Sequence, residues 1–355
     1  MLKTGSGKSK KLYLRSRMTN IDIKEIKYLL ETPKFIVVVP HKNPDGDAIG
    51  SSLGLYHYLK SKGHDVVVIT PNDYPEFLKW IPGEDTIIKH ESDTVKANTL
   101  IENAELIFTL DFNALNRTGS MEPNLVAAKG IKIMIDHHQL PEDYAKYVYS
   151  DVSMCSTSEM IYHFLEMLDD VNAITSAIAT SLYVGIMTDT GSFSFNATTS
   201  TTHRVVADLI DKGANNAQIH GNVYDTNTYD RLQLLGRALN NLKVIPKYNT
   251  SYISLSQDEL NTFNFKKGDT EGVVNYALSL NKVNFAVIFI EHKKEGIVKI
   301  SLRSKGNFDV NVFARNHFNG GGHLNAAGGR SELSLKDTLE KFISLLPNYS
   351  KDLNS

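Results

Sequence analysis

From Lys34 onward, short apolar runs alternate with stretches whose apolar positions recur at helical spacing. The runs lie at 35–39, 66–69, 106–110 and 131–135, are rich in Val and Ile, and are predominantly apolar rather than alternating. That pattern predicts strands covered on both faces. Between and after them, residues 50–62 read as a helix, and Ser156 followed by Glu159 predicts a capping box opening a helix that runs to Leu168. Residues 173–187 read as a long buried helix. Strands alternating with helices predict an α/β fold, a parallel sheet with flanking helices.

The pattern changes beyond residue 205. Residues 204–244 read as helical, with an exposed connector at 228–242 rich in Arg, Asn and Gln. Strand-like runs resume at 251–255, 285–290 and 297–301, followed by a glycine-rich segment and a terminal helix over 335–346. This predicts a catalytic domain over 20–205, a helical connector over 206–245 and a smaller mixed α/β domain over 246–348. A length of 355 residues agrees with two domains at roughly 150 residues each.

Composition adds exclusions. With 41% hydrophobic and 22% charged residues, the chain is neither disordered, collagen-like nor a disulfide scaffold. The single cysteine, Cys155, allows no internal disulfide and no cysteine-based metal centre, so a cytoplasmic location is expected. No apolar stretch approaches the roughly 18 residues that span a bilayer, so no membrane association is expected. Residues 1–19 carry six basic residues and no acid, which makes them a basic tail or tag and leaves −8 for the rest. Their Gly5-Ser6-Gly7-Lys8-Ser9 run lacks the earlier glycine and preceding strand of a phosphate-binding loop. An acidic body argues against coating long duplex nucleic acid, because such binding needs many Lys and Arg contacts.

Candidate chemistry gathers where the predicted strands end, which is where open parallel sheets bind ligands. The first strand runs into His41, Asp45 and Asp47, the third ends in Asp111, and the fourth ends in Asp136-His137-His138. The long helix closes with Asp189. Individually these have ordinary explanations: Asp45-Gly46 as a turn, Asp47 as a helix cap. Jointly, four termini at one sheet edge bring carboxylates and imidazoles together without thiolates, a donor set for manganese, magnesium, iron or zinc, with manganese favoured.

With these residues in place, the chain resembles the DHH phosphoesterases, whose Asp-His-His signature is Asp136-His137-His138. The resemblance runs from about residue 20 to 345. It includes His41-x-x-x-Asp45-x-Asp47, Asp111, and Asp189 within the Gly185–Gly191 segment. Ser301-Leu302-Arg303-Ser304 and the run Gly320-Gly321-Gly322-His323-x-x-Ala326-Ala327-Gly328 resemble the companion DHHA1 domain. The resemblance implies two Mn2+ ions per chain, Mg2+ or another divalent ion being the alternative. His41, Asp45 and Asp111 would hold the first, and Asp47, Asp111, His137 and Asp189 the second, with Asp111 as the bridge. Asp136 would orient a histidine, and His138 would face the scissile phosphate.

Residues 298–330 carry +4 inside an acidic body, which supports an anion-binding role for Arg303, Ser304, Gly321, Gly322 and His323. Two domains facing across a cleft would clamp a short substrate at both ends. The resemblance therefore implies hydrolysis of RNAs of two to five nucleotides to mononucleotides, and of 3′-phosphoadenosine 5′-phosphate to AMP. Cleavage of cyclic di-AMP or a linear dinucleotide is the alternative. A noncatalytic nucleotide sensor ranks below both because the ligand set is intact. Partners are short RNA or small phosphorylated nucleotides, with a homodimer allowed.

Overall fold

The computed structural model describes residues 20–354; the basic segment 1–19 and its glycine-lysine run lie outside the described residues. The chain divides into two compact units. One takes in residues up to Asp73 together with Leu78–Ile219, and the other Tyr74–Phe77 with residues from His220 onward.

The first unit opens with helix α1 (Asn20–Leu29) and is built on six strands: β1 (Phe35–Pro40), β2 (Asp65–Thr70), β3 (Ile88–Lys89), β4 (Leu106–Leu110), β5 (Ile131–Asp136) and β6 (Tyr147–Ser150). Their order is β3-β2-β1-β4-β5-β6, and every pairing is parallel. The four predicted strands are the four central ones. Val37 and Val39 of β1 join the cluster formed with Ala97 and Ile101 of α3 (Thr94–Asn103) and Leu125 of α4 (Glu122–Ala127). Ile36 and Val38, alternating with them, are equally buried, so both faces are covered and the apolar run has no polar phase. The chain order reverses between β1 and β4, which makes the carboxyl ends of these two strands the crevice of the sheet.

Helices α2 (Gly46–Ser61), α5 (Thr157–Met167) and α6 (Ser176–Asp189) pack on one another, and α7 (Ser200–Asp211) packs on α5 and α6. Helix α2 starts four residues earlier than the sequence pattern places it. Asp45, rather than Asp47, is its N-cap, and the Asp45 carboxylate accepts from the backbone N–H groups of Asp47 and Ala48, both at 3.1 Å. Ser156 caps α5 as expected by accepting from Glu159 N–H at 3.0 Å. The reciprocal half of the expected box is absent, because the Glu159 carboxylate turns to the Cys155 thiol at 2.7 Å and the Thr202 hydroxyl at 3.1 Å.

Gly46, Gly50 and Gly54 form a stripe on α2 that lets α6 approach. A Cβ at Gly50 would stand 2.5 Å from the Ser181 carbonyl and 2.9 Å from the Gly185 nitrogen, both backbone atoms that cannot rotate away. Exposed helical glycines gain about 1 kcal/mol on conversion to alanine. Here the sign reverses: Gly50→Ala destabilises by about 1–3 kcal/mol, the usual cost of overpacking, and lowers turnover because Asp47 rides on α2 and Asp189 on α6. Thermal unfolding and an activity assay check this, and a variant with wild-type values in both contradicts the packing argument.

The second unit contains a six-stranded mixed sheet of β7 (Lys243–Ile245), β8 (Thr250–Leu255), β9 (Phe285–His292), β10 (Ile297–Ser304), β11 (Gly321–Gly322) and β12 (Ala326–Ser331), ordered β11-β12-β10-β9-β8-β7. The β8–β9 pairing is parallel and the other pairings are antiparallel. Helix α8 (Asn216–Tyr224) contains the division between the units. Residues of α9 (Tyr229–Asn240), α10 (Gln257–Thr262) and α11 (Val273–Leu278) form one core with Ile253 and Ile288. The other core is aromatic: Phe285 and Phe289 meet Phe313 of α12 (Val310–His317) and Phe342 of α13 (Leu335–Leu345). Among the described residues no helix is long and apolar enough to cross a membrane.

Candidate metal centre

The histidines and aspartates singled out in the N-terminal half converge at the carboxyl ends of β1, β4 and β5. His41 follows β1 and is buried; its Nε2 lies 3.4 Å from Asp111 Oδ2 and 3.9 Å from Asp45 Oδ2. His137 follows β5, and its Nε2 lies 3.4 Å from Asp111 Oδ1, 3.4 Å from Asp189 Oδ2 and 3.9 Å from Asp47 Oδ2. Asp111 thus presents one oxygen to each imidazole, and three groups with metal-ligating geometry share it: His41 with Asp45, His137 with Asp47, and Asp136 with His138. Asp45 has the most open carboxylate of the set, with 48% of its side chain accessible, whereas Asp47 and Asp111 are buried.

Each imidazole is held by its other nitrogen. His41 Nδ1 lies 2.9 Å from the Lys42 carbonyl and His137 Nδ1 lies 3.2 Å from the Met154 carbonyl. Donation to these carbonyls fixes the tautomer and directs Nε2 toward the carboxylates. His138 Nδ1 lies 2.7 Å from Asp136 Oδ1. Asp136 is fully buried, and its second oxygen has no hydrogen-bond partner among the described residues. The Asp111 backbone sits at φ +65°, a left-handed conformation that aspartate tolerates better than most residues.

The charges explain the titration behaviour. Burial, reinforced by repulsion from Asp111 and Asp189, raises the Asp47 carboxyl well above the ordinary range. Burial pushes Asp189 up to about 6 against the opposing charge of His137, with the charges of Asp45 and Asp111 acting in the same direction as burial. For Asp111 burial acts the same way, but hydrogen bonds from His137 and His41 overcome it and hold the carboxyl well below its usual value. Burial disfavours the charged His137, yet its hydrogen bond to Asp111 and the charges of Asp189, Asp111 and Asp47 raise it well above normal. His41 is raised for the same reasons, against burial. Buried anions that repel one another and recruit protons onto histidine are the donor set of a cation site.

In the second unit, Arg303 and Ser304 end β10, and Gly321, Gly322 and His323 lie at β11. The Ser304 hydroxyl donates to the Phe308 carbonyl at 2.6 Å and accepts from the Asn325 side-chain amide at 2.9 Å. Gly322 adopts φ +151°, and a Cβ there would come within 2.5 Å of the Ala326 carbonyl. Pairing with β12 therefore demands glycine at this position whatever ligand the loop meets. Gly322 N–H donates to Asn311 Oδ1 at 2.9 Å, and His323 N–H donates to the Ala326 carbonyl at 2.7 Å.

Sequence reasoning missed Thr157 and Ser158, the first residues of α5. The Thr157 hydroxyl donates to Asp111 Oδ1 at 3.0 Å, and the backbone N–H groups of Thr157 and Ser158 donate to Asp47 at 2.6 and 2.8 Å. The Ser156 cap signal places the start of this helix but gives no indication that it docks on α2 and β4.

Residues 35–186 match the DHH family N-terminal domain, and residues 247–351 match the DHHA1 domain. The bifunctional oligoribonuclease and PAP phosphatase NrnA of Thermus thermophilus is 31% identical over 310 residues, covering 86% of each chain. The chain belongs to the DHH family. It is a metal-dependent phosphoesterase of that family, a hydrolase of phosphate ester bonds. The cyclic-di-AMP phosphodiesterase GdpP of Bacillus subtilis is 28% identical over 96% of this chain but only 51% of its own length. The crystal structure of an exopolyphosphatase-related protein from Bacteroides fragilis superposes with a TM-score of 0.91 at 40% identity, covering 96% of this chain and all of that one.

Proposed function

We propose that this enzyme hydrolyses very short RNA oligonucleotides to mononucleotides and removes the 3′-phosphate of 3′-phosphoadenosine 5′-phosphate, using two Mn2+ ions in the cytoplasm. The observation that carries the metal reading is Asp111, whose two oxygens face His41 and His137 separately at 3.4 Å each. The mutually repelling carboxylates around it, with Asp47 fully buried among them, fit a pair of divalent cations. His41, Asp45 and Asp111 would hold one ion, and Asp47, Asp111, His137 and Asp189 the other. Mixed carboxylate and imidazole donors suit manganese, with magnesium the alternative. Such ions, when bound, acidify a water and neutralise charge on phosphate oxygens.

The protein's own contributions follow from the contacts. Asp111 supplies the negative charge that two neighbouring cations require between them. Asp136, accepting from His138 Nδ1 at 2.7 Å, fixes that ring so that Nε2 is the atom presented to a phosphate oxygen. In the second unit, Arg303 at the end of β10 supplies a planar cation suited to phosphate, and Gly321, Gly322 and His323 lie at β11, on the far side of β12. Arg303→Ala is expected to raise KM about tenfold or more, the loss of a charge-assisted hydrogen bond, with metal content unchanged. Steady-state kinetics with metal analysis checks it, and a variant that loses its metals instead contradicts the assignment.

The substrate reading is supported by the near end-to-end match to a relative named as an oligoribonuclease and PAP phosphatase. The match to half of a cyclic-di-AMP phosphodiesterase favours the second reading, cleavage of a cyclic or linear dinucleotide, less strongly. A product assay with manganese separates them, giving labelled RNA dinucleotide, 3′-phosphoadenosine 5′-phosphate and cyclic di-AMP in parallel. Mononucleotides from RNA and AMP from the bisphosphate are expected; cleavage of cyclic di-AMP alone transfers the assignment to the second reading.

A further inference from the structure

We infer that Thr157 is a positioning residue that presets the metal-binding geometry of Asp111, acting within the first turn of α5 as part of a clamp on two carboxylates. This rests on the two-metal reading above and adds a residue to it. The clamp is visible in three hydrogen bonds. The Thr157 hydroxyl donates to Asp111 Oδ1 at 3.0 Å, Thr157 N–H donates to Asp47 Oδ2 at 2.6 Å, and Ser158 N–H donates to Asp47 Oδ1 at 2.8 Å. Asp47 and Asp111 belong to different elements, α2 and the end of β4, and lie 64 positions apart in sequence. One helix end, itself fixed by the Ser156 cap and fully buried, ties them together.

The geometry separates two jobs. Both Asp47 oxygens are fixed by backbone groups, which no substitution short of proline removes, and the helix dipole favours negative charge there. Asp111 has only one such restraint from α5, and it is a side chain. Its Oδ1 faces His137 Nε2 at 3.4 Å, while Oδ2 faces His41. The hydrogen bonds from His137 and His41 would give way to cations at those positions, whereas the Thr157 hydroxyl remains to fix how the carboxylate is rotated between its two sides. A carboxylate free to rotate about its Cβ–Cγ bond would have to be reordered when metal binds, and a preset one would not. A hydroxyl on a β-branched, fully buried side chain suits this task because χ1 is stiff and the donor has little freedom to leave.

The test uses Thr157→Val, which keeps shape and removes the donor, and Thr157→Ala, which removes the donor without the added methyl. Thr157→Ser restores the hydroxyl. Manganese affinity of each metal-free full-length chain is measured by calorimetry, with thermal unfolding of the same samples. Both donor-lacking variants are expected to bind manganese about 10- to 100-fold more weakly, the usual effect of losing an outer hydrogen-bond partner of a ligand. Thr157→Ser is expected to recover most of the affinity. The manganese-loaded variants should also show a changed electron paramagnetic resonance spectrum, which a loss of packing alone would not produce. Wild-type affinity and stoichiometry in either Val or Ala variant overturns the role of Thr157 while leaving the two-metal reading intact. A wild-type chain that takes up no manganese overturns that reading and this inference with it.

Discussion

Asp111→Asn is expected to fold and to lose nearly all turnover on every substrate. Folding survives because Asn tolerates a left-handed backbone as well as Asp does, so the φ of +65° costs little extra. The shape of the side chain is also unchanged. What disappears is the one carboxylate that faces both His41 and His137, and with it the charge holding two cations near each other. Losing a ligand costs more than the roughly 100-fold associated with losing a hydrogen-bond partner behind a ligand. Circular dichroism and thermal unfolding establish that the variant is folded, and a product assay reads the loss. A folded Asp111→Asn chain with wild-type turnover shows that the chemistry lies elsewhere.

Metal removal has an equally specific signature, because the cluster responds to pH in a definite direction. Asp47 and Asp189 are raised by burial and by repulsion from neighbouring carboxylates, while His41 and His137 are raised, against burial, by neighbouring carboxylates. A group whose folded pKa is raised favours folding when protonated. The metal-free protein therefore gains stability as pH falls from about 8 through the Asp189 value of about 6. Asp111 has the opposite sign, since its carboxyl is depressed well below its usual value. Its contribution is lost only at more acid pH, below this window. Bound cations replace the protons, so the loaded protein should show a higher Tm, and this gain over the metal-free chain should shrink from pH 8 to pH 6 as protons compete for the ligands. Differential scanning calorimetry with and without a chelator measures both. A metal-free chain whose Tm falls on acidification through this range, or that matches the loaded chain, contradicts the electrostatic account.

These two expectations draw on residues that sequence spacing already reveals. His41, Asp45, Asp111 and the Asp-His-His run stand at the ends of strands whose Val- and Ile-rich runs are readable. A parallel sheet places those ends along one edge. Asp189 is legible for a different reason, as the charged terminus of a helix that is otherwise uncharged. What stayed hidden depends on tertiary docking. Thr157 looks like any first-turn residue until α5 meets α2 and β4. Gly46, Gly50 and Gly54 do recur at helical spacing, but Asp45-Gly46 reads as a turn and Asp47 as the helix cap, whereas the true cap is Asp45. Strands β3 and β6 went unpredicted: the first has two residues, and the second, Tyr147–Ser150, lacks the Val- and Ile-rich run of its neighbours. In the C-terminal unit the glycine cluster carried an anion-binding expectation, and strand pairing supplies a second reason for Gly322 that the sequence could not distinguish.

The most direct test of the central claim is anomalous diffraction at the manganese edge from crystals of the manganese-loaded protein. Two peaks roughly 4 Å apart, one on each side of the Asp111 carboxylate and within reach of His41 and His137 respectively, are the expected result. A single peak, or manganese bound away from these residues, would contradict it.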